Sequence, residues 1–95
     1  MSAQHRIIDL VEVLAKSGRD GMANKDLCAA LKLSATTVCR DLDVLKDGGW
    51  MERTFDGNAR LTPQFANCAN LMARSFQEAK LRLSADEERY RSAMQ

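Results

Sequence analysis

Four polar side chains stand close together in a stretch that otherwise reads as a helix: Ser34, Thr36, Thr37 and Arg40. Hydroxyls and a guanidinium at this spacing form no catalytic set. They are, however, groups that read base edges and hold phosphates, with arginine able to grip guanine through two hydrogen bonds. With Val38 at the centre of a buried face and about 100° per residue, Leu42 and Leu45 fall within roughly 40° of it, while Thr36 and Arg40 point nearly opposite. Thr37 lies to one side, and Ser34 is placed to cap the first turn. Asp43 shares the face of Arg40 one turn later, where it would orient Arg40 or accept from a cytosine amine. Lys25 and Lys32 flank this surface within reach of a sugar-phosphate backbone. The pattern predicts a recognition helix over residues 34–48, stopped by Gly48-Gly49 and offering its amino end to a major groove.

Beside it, Trp50-Met51-Glu52-Arg53-Thr54-Phe55 and Asn58-Ala59-Arg60-Leu61-Thr62 flank Asp56-Gly57, a dipeptide suited to a type I′ hairpin turn. A two-residue loop would set Arg53 opposite Arg60, with Asn58 on their face and Trp50, Ala59 and Leu61 on the inner one. Two arginines directly opposite each other repel, and a phosphate backbone lying over the hairpin would relieve that repulsion. A different register, or two solvated arginines pointing apart, is the ordinary alternative. The hairpin over residues 50–62 is thus a candidate wing for phosphate or minor-groove contact.

These two pieces need a platform. Ile7, Ile8, Leu10, Val11 and Leu14 recur at three- and four-residue intervals and predict an amphipathic helix from Ala3 to Ser17. Gly18, Asp20 and Gly21 end it, and Met22-Ala23 has room only for a short strand or an extended link. Asn24 would cap a second, short helix with Leu27, Cys28, Ala30 and Leu31 inward. Lys32-Leu33 turns the chain into Ser34, so a helix-turn-helix precedes the hairpin. The fold class expected is mainly α with a small β-hairpin: a winged helix-turn-helix over 1–62, then a helical extension over 63–95.

In that extension Thr62-Pro63 marks a helix start, and Phe65, Ala69, Met72, Phe76, Ala79 and Leu83 follow at heptad spacing. A helix from Pro63 to Leu83 is about 30 Å long, more than a small head domain can cover. The seam is therefore read as a homodimer contact, the alternative being a helix folded back on its own head. Ser84-Ala85-Asp86-Glu87 resembles a capping box, which predicts a break at that point, although helix propensity would also let the helix run through. The last twelve residues show no clear core face.

Composition bounds these readings. A chain of 95 residues buries roughly 60 to 65% of its unfolded surface, which leaves room for one modest core. No apolar run reaches membrane-spanning length, and the MSAQHR start lacks the apolar block of a signal peptide, so a cytoplasmic protein without membrane contact is expected. Cys28, Cys39 and Cys68 show no metal-binding spacing, and His5 is the single histidine, so neither a metal nor another cofactor is expected. The cysteines are expected to be reduced, small and mostly buried, the other reading being a redox switch at Cys39. Absence of a glycine-rich phosphate loop or clustered carboxylates argues against an enzyme. Net charge is +1, and the first 62 residues are neutral with nine basic and nine acidic side chains. Weak binding to random DNA follows, because nonspecific affinity comes mainly from counterion release.

The stretch RIIDLVEVLAKSGRDGMANKDLCAALKLSATTVCRDLDVLKDGGWMERTFDGNARLTPQF resembles the DNA-binding domain of IclR-type regulators, in its opening helix, in TTVCR, in GGWMER and in ARLTP. The likeness spans about Gln4 to Phe65, and small proteins of this kind occur as lone regulators in phages and prophages. RDLDVLKDGGW and RTFDGNA are also similar to DeoR-type repressors, which share the winged helix. Either resemblance implies a double-stranded DNA partner and transcription control, with contacts from Ser34, Thr36, Thr37 and Arg40 and from the wing between Arg53 and Arg60. Asp41 stands where IclR-type helices are usually apolar. The large ligand-binding domain of that family has no counterpart in these residues, so no small-molecule effector is implied.

Overall fold

The computed structural model describes residues 2–95. Ser2 accepts from the His5 amide at 3.3 Å and starts α1, Ala3–Ser17, which ends at Gly18 in the left-handed region at φ 62°. A 3-10 turn over Gly18–Asp20 and the extended Met22 lead into α2, Asn24–Leu31. α3, Ala35–Asp47, β1, Met51–Arg53, β2, Ala59–Leu61, and α4, Pro63–Ala93, complete the order. The chain is mainly α with one two-stranded antiparallel hairpin and a long last helix, as the pattern of the sequence requires.

One core serves the residues up to Phe65. Leu10 and Leu14 of α1, Leu27 of α2, Val38, Leu42 and Leu45 of α3, and Met51 and Ala59 of the strands are all buried. Burying each large aliphatic side chain contributes about 1.5 to 3 kcal/mol, and the core draws on α1, α2, α3 and both strands. Two inward assignments do not hold. Ile8 is 56% exposed and Ala30 is exposed, because each lies one step off the stripe that faces α3.

Asp41 is the one charged residue among the described residues that is buried, at 5% exposure. Arg6 of α1 donates to both of its carboxylate oxygens, through Nε at 3.0 Å and through one terminal nitrogen at 3.4 Å. The guanidinium of Arg6 satisfies the carboxylate, so the departure at Asp41 is an ion pair that ties α1 to α3.

The hairpin register differs from the two-residue loop expected. Met51 pairs with Leu61, Glu52 with Arg60 and Arg53 with Ala59. The loop has three residues, Phe55, Asp56 and Gly57: the Thr54 amide donates to the Asn58 carbonyl at 2.8 Å, and the Gly57 amide donates to the Thr54 carbonyl at 3.0 Å. A type I′ turn would need positive φ at both Asp56 and Gly57, whereas only Gly57 adopts it, at 85°. This is a type I turn closed by a glycine bulge. The shift moves Met51 inward and removes the opposition of Arg53 and Arg60. Met22 adds an isolated antiparallel bridge, exchanging two 2.9 Å hydrogen bonds with Ala59. Gly21 makes that approach possible, since it sits at φ 70° and a Cβ there would strike the Ala59 carbonyl.

From Ala66 onward the chain is a separate unit, the continuation of α4. The helix has 31 residues, about 45 Å. It runs through Ser84 without a break, and the acidic residues of the capping-box pattern instead pair along the helix with Arg89 and Arg91. Thr62, the expected cap, turns its hydroxyl to the Gly49 carbonyl at 2.6 Å.

Removing Arg6 strands a buried carboxylate, whereas removing Asp41 frees an arginine that can reach water. Arg6→Ala is expected to cost about 3 kcal/mol in urea unfolding and Asp41→Leu less than about 1 kcal/mol. Gly21→Ala is expected to cost at least about 2 kcal/mol, since strain and clash add.

Candidate nucleic-acid interface

The amino end of α3 is built by its cap. Ser34 accepts from the Thr37 amide at 3.2 Å and donates its own hydroxyl to Thr37 Oγ1 at 3.0 Å. This commits the Ser34 proton and leaves that of Thr37 available to donate outward. The chain reaches Ser34 through Lys32, whose φ of 57° is the single positive value outside glycine among the described residues. That left-handed residue ends α2, with its amide donating to the Cys28 carbonyl, and makes the sharp turn into α3. At the far end Gly49, at φ 81°, releases the chain, and the Trp50 amide donates to the Leu45 carbonyl at 2.8 Å.

Opposite the buried Val38, Leu42 and Leu45 stripe, Thr36, Arg40 and Asp43 are exposed together, as their angular spacing requires. Asp43 does not pair with Arg40: among the described residues no carboxylate forms an ion pair with that guanidinium. Lys25 and Lys32 are exposed as well, on the first turn and at the carboxyl end of α2.

The wing arginines differ from each other. Arg60 is engaged, its Nε donating to Glu52 at 2.8 Å and another nitrogen to the Arg19 carbonyl at 3.1 Å. Asn58 is likewise turned inward, donating to the Asp20 carbonyl at 3.1 Å. Arg53 is exposed, and one of its terminal nitrogens donates to Asn24 Oδ1 at 2.7 Å and to the Gly57 carbonyl at 3.2 Å, which leaves its other donors open. Asn24 therefore does not cap α2; the cap position is Ala23, without a side-chain bond. It joins the wing to the helices, since its amide nitrogen also lies 3.6 Å from Cys39 Sγ. Cys39 and Cys68 are exposed and Cys28 is half-buried, against the expectation of mostly buried thiols.

Asn24 and Phe55 were not legible as interface residues. The partner of Asn24 is 29 positions away, and Phe55 reads as an outward strand residue opposite Asn58 until the three-residue loop places it, fully exposed, at the wing tip.

Helix, sharp turn, capped helix and hairpin over one core define a winged helix-turn-helix, a class that docks its second helix in the major groove. A family model described as a DeoR-like helix-turn-helix domain matches residues 6–64, and the chain belongs to that family of DNA-binding regulators. No curated protein and no solved structure matches the chain. No helix among the described residues is long and apolar enough to cross a membrane.

Lys32 gives the interface a two-way test. Lys32→Gly relieves a left-handed residue and is expected to raise stability by about 1 kcal/mol, read by thermal unfolding, while weakening DNA binding through loss of a phosphate contact. Equal DNA affinity in the stabilised variant would remove Lys32 from the interface.

Proposed function

We propose that the protein is a sequence-specific regulator of transcription, acting as a repressor, that binds double-stranded DNA as a homodimer on two half-sites about one helical turn or more apart. The observation that carries this reading is the surface of exposed Thr36 and Arg40 with half-buried Thr37 beside them at the capped amino end of α3, Arg40 being free of any carboxylate among the described residues. Arg40 contacts guanine O6 and N7; Thr36 and Thr37 contact base edges or phosphate; the helix amides and Ser34 hold the backbone. Lys25, Lys32 and Arg53 supply phosphate contacts, and Asp43 accepts from a cytosine amine rather than orienting Arg40. Arg60 and Asn58 act through the shape of the wing, because their polar atoms are bonded within it. The IclR-type and phage-regulator reading rests on TTVCR, GGWMER and ARLTP alone.

The dimer contact is the α4 seam of Ala69, Met72, Phe76, Ala79 and Leu83, all exposed. Phe65 takes a different place, edge-on to Trp50 at 6.2 Å between ring centres.

A second reading is a winged-helix module that grips another protein. The neutral head and the fully exposed Phe55 favour it.

Selection of bound duplexes from a random pool by gel shift at moderate salt separates the two. One enriched sequence is expected for the regulator, and none for the protein-binding module. Against the enriched duplex, Arg40→Ala is expected to lose about 1 to 3 kcal/mol of discrimination at one base pair. Arg53→Ala is expected to weaken all sequences equally and to lower the salt slope by about one; Arg60→Ala is expected to lower the unfolding temperature with the slope unchanged.

A further inference from the structure

We infer that α4 pairs with α4 of a second copy in parallel and in register, with Arg82 of each copy bound to Glu87 of the other. This rests on the homodimer reading above and adds its orientation. From Ala66 to the end of α4 every side chain is exposed, including Leu71, Met72, Phe76, Leu81 and Leu83, each more than 60%. In proteins most helical stability comes from packing of an apolar face, so the apolar stripe of this helix calls for a partner.

Heptad positions decide which way the partner runs. Ala69, Phe76, Leu83 and Tyr90 take position a, and Met72, Ala79, Asp86 and Ala93 take position d. The flanking g positions are then Cys68, Ser75, Arg82 and Arg89, and the e positions Ala73, Lys80, Glu87 and Met94. Parallel helices in register bring each g residue to the e residue five positions on in the other copy. Arg82 thereby meets Glu87 twice, by symmetry, and no like charges meet at any other such pair. Antiparallel helices bring g to g and e to e. All charged g residues are arginines, so every antiparallel contact between charged g residues is repulsive. The only favourable e contact, Lys80 with Glu87, centres the pair near residue 83 and draws Phe76 of one copy to residues 91–93 of the other, away from the seam.

Asp86 sets the limit of the seam. It falls on position d, where two carboxylates would face each other, and it is held by Arg89 of its own helix at 3.5 Å. The apolar contact therefore runs from Ala69 to Leu83, and the Arg82–Glu87 pairs close it, with Glu87 shared between Arg82 of the other copy and Arg91 of its own helix, which lies 3.2 Å from it. Within one helix residues five apart are not neighbours, so any coupling between these two side chains must come from the second copy.

Sedimentation equilibrium on the full chain tests this through charge exchange. Arg82→Glu and Glu87→Arg are each expected to weaken the dimer about tenfold, and the double exchange to restore it to within about threefold. Circular dichroism checks that each variant stays helical. Effects that merely add in the double variant, with the dimer intact, overturn the parallel pairing and leave the homodimer standing. A wild-type chain that stays monomeric at all concentrations overturns both. As an independent readout, Met72→Cys in a chain carrying Cys28→Ala, Cys39→Ser and Cys68→Ser is expected to oxidise to a covalent dimer, because facing d positions lie within disulfide reach. A dimer that cannot be crosslinked there contradicts the register.

Discussion

Burial of Val38, Leu42 and Leu45 against Leu10, Leu14 and Leu27 is the constraint from which the interface follows. Because that stripe occupies one side of α3, Thr36 and Arg40 must face outward, and no freedom remains to rotate the helix without exposing leucine. The Arg6–Asp41 pair adds a directional tie at the edge of the same contact. Apolar burial fixes which face is outward, and the ion pair opposes sliding of α1 along α3.

The wing is placed by polar contacts rather than by bulk. Met51 and Ala59 root it in the core, while Arg53 to Asn24, Asn58 to Asp20 and Arg60 to Arg19 lash its flanks to α2 and to the turn before it. Several cations of a neutral head are thereby committed to structure. In the proposed dimer, affinity for DNA comes from a few aimed contacts and from two heads acting together.

Element order, the boundaries of α1 and the cap and stop of α3 were legible because each rests on local rules: apolar spacing, a serine cap, paired glycines. The hairpin register was not. Thr-Phe-Asp-Gly-Asn fits a type I turn with a glycine bulge as well as a two-residue loop, and one residue of slip reverses the inward and outward faces. Hence the opposed arginines vanished, and Arg60 found Glu52. Asn24 and Asp41 were misread or left unexplained for a related reason, since their partners, Arg53 and Arg6, lie 29 and 35 positions away and leave no local trace.

The most direct test of the claim that the amino end of α3 reads the major groove is methylation interference on the selected duplex. Methylation of guanine N7 at one position in each half-site should block the wild-type protein and add nothing to the loss already suffered by Arg40→Ala. Binding indifferent to N7 methylation, and abolished instead by methylation of adenine N3 in the minor groove, would contradict it.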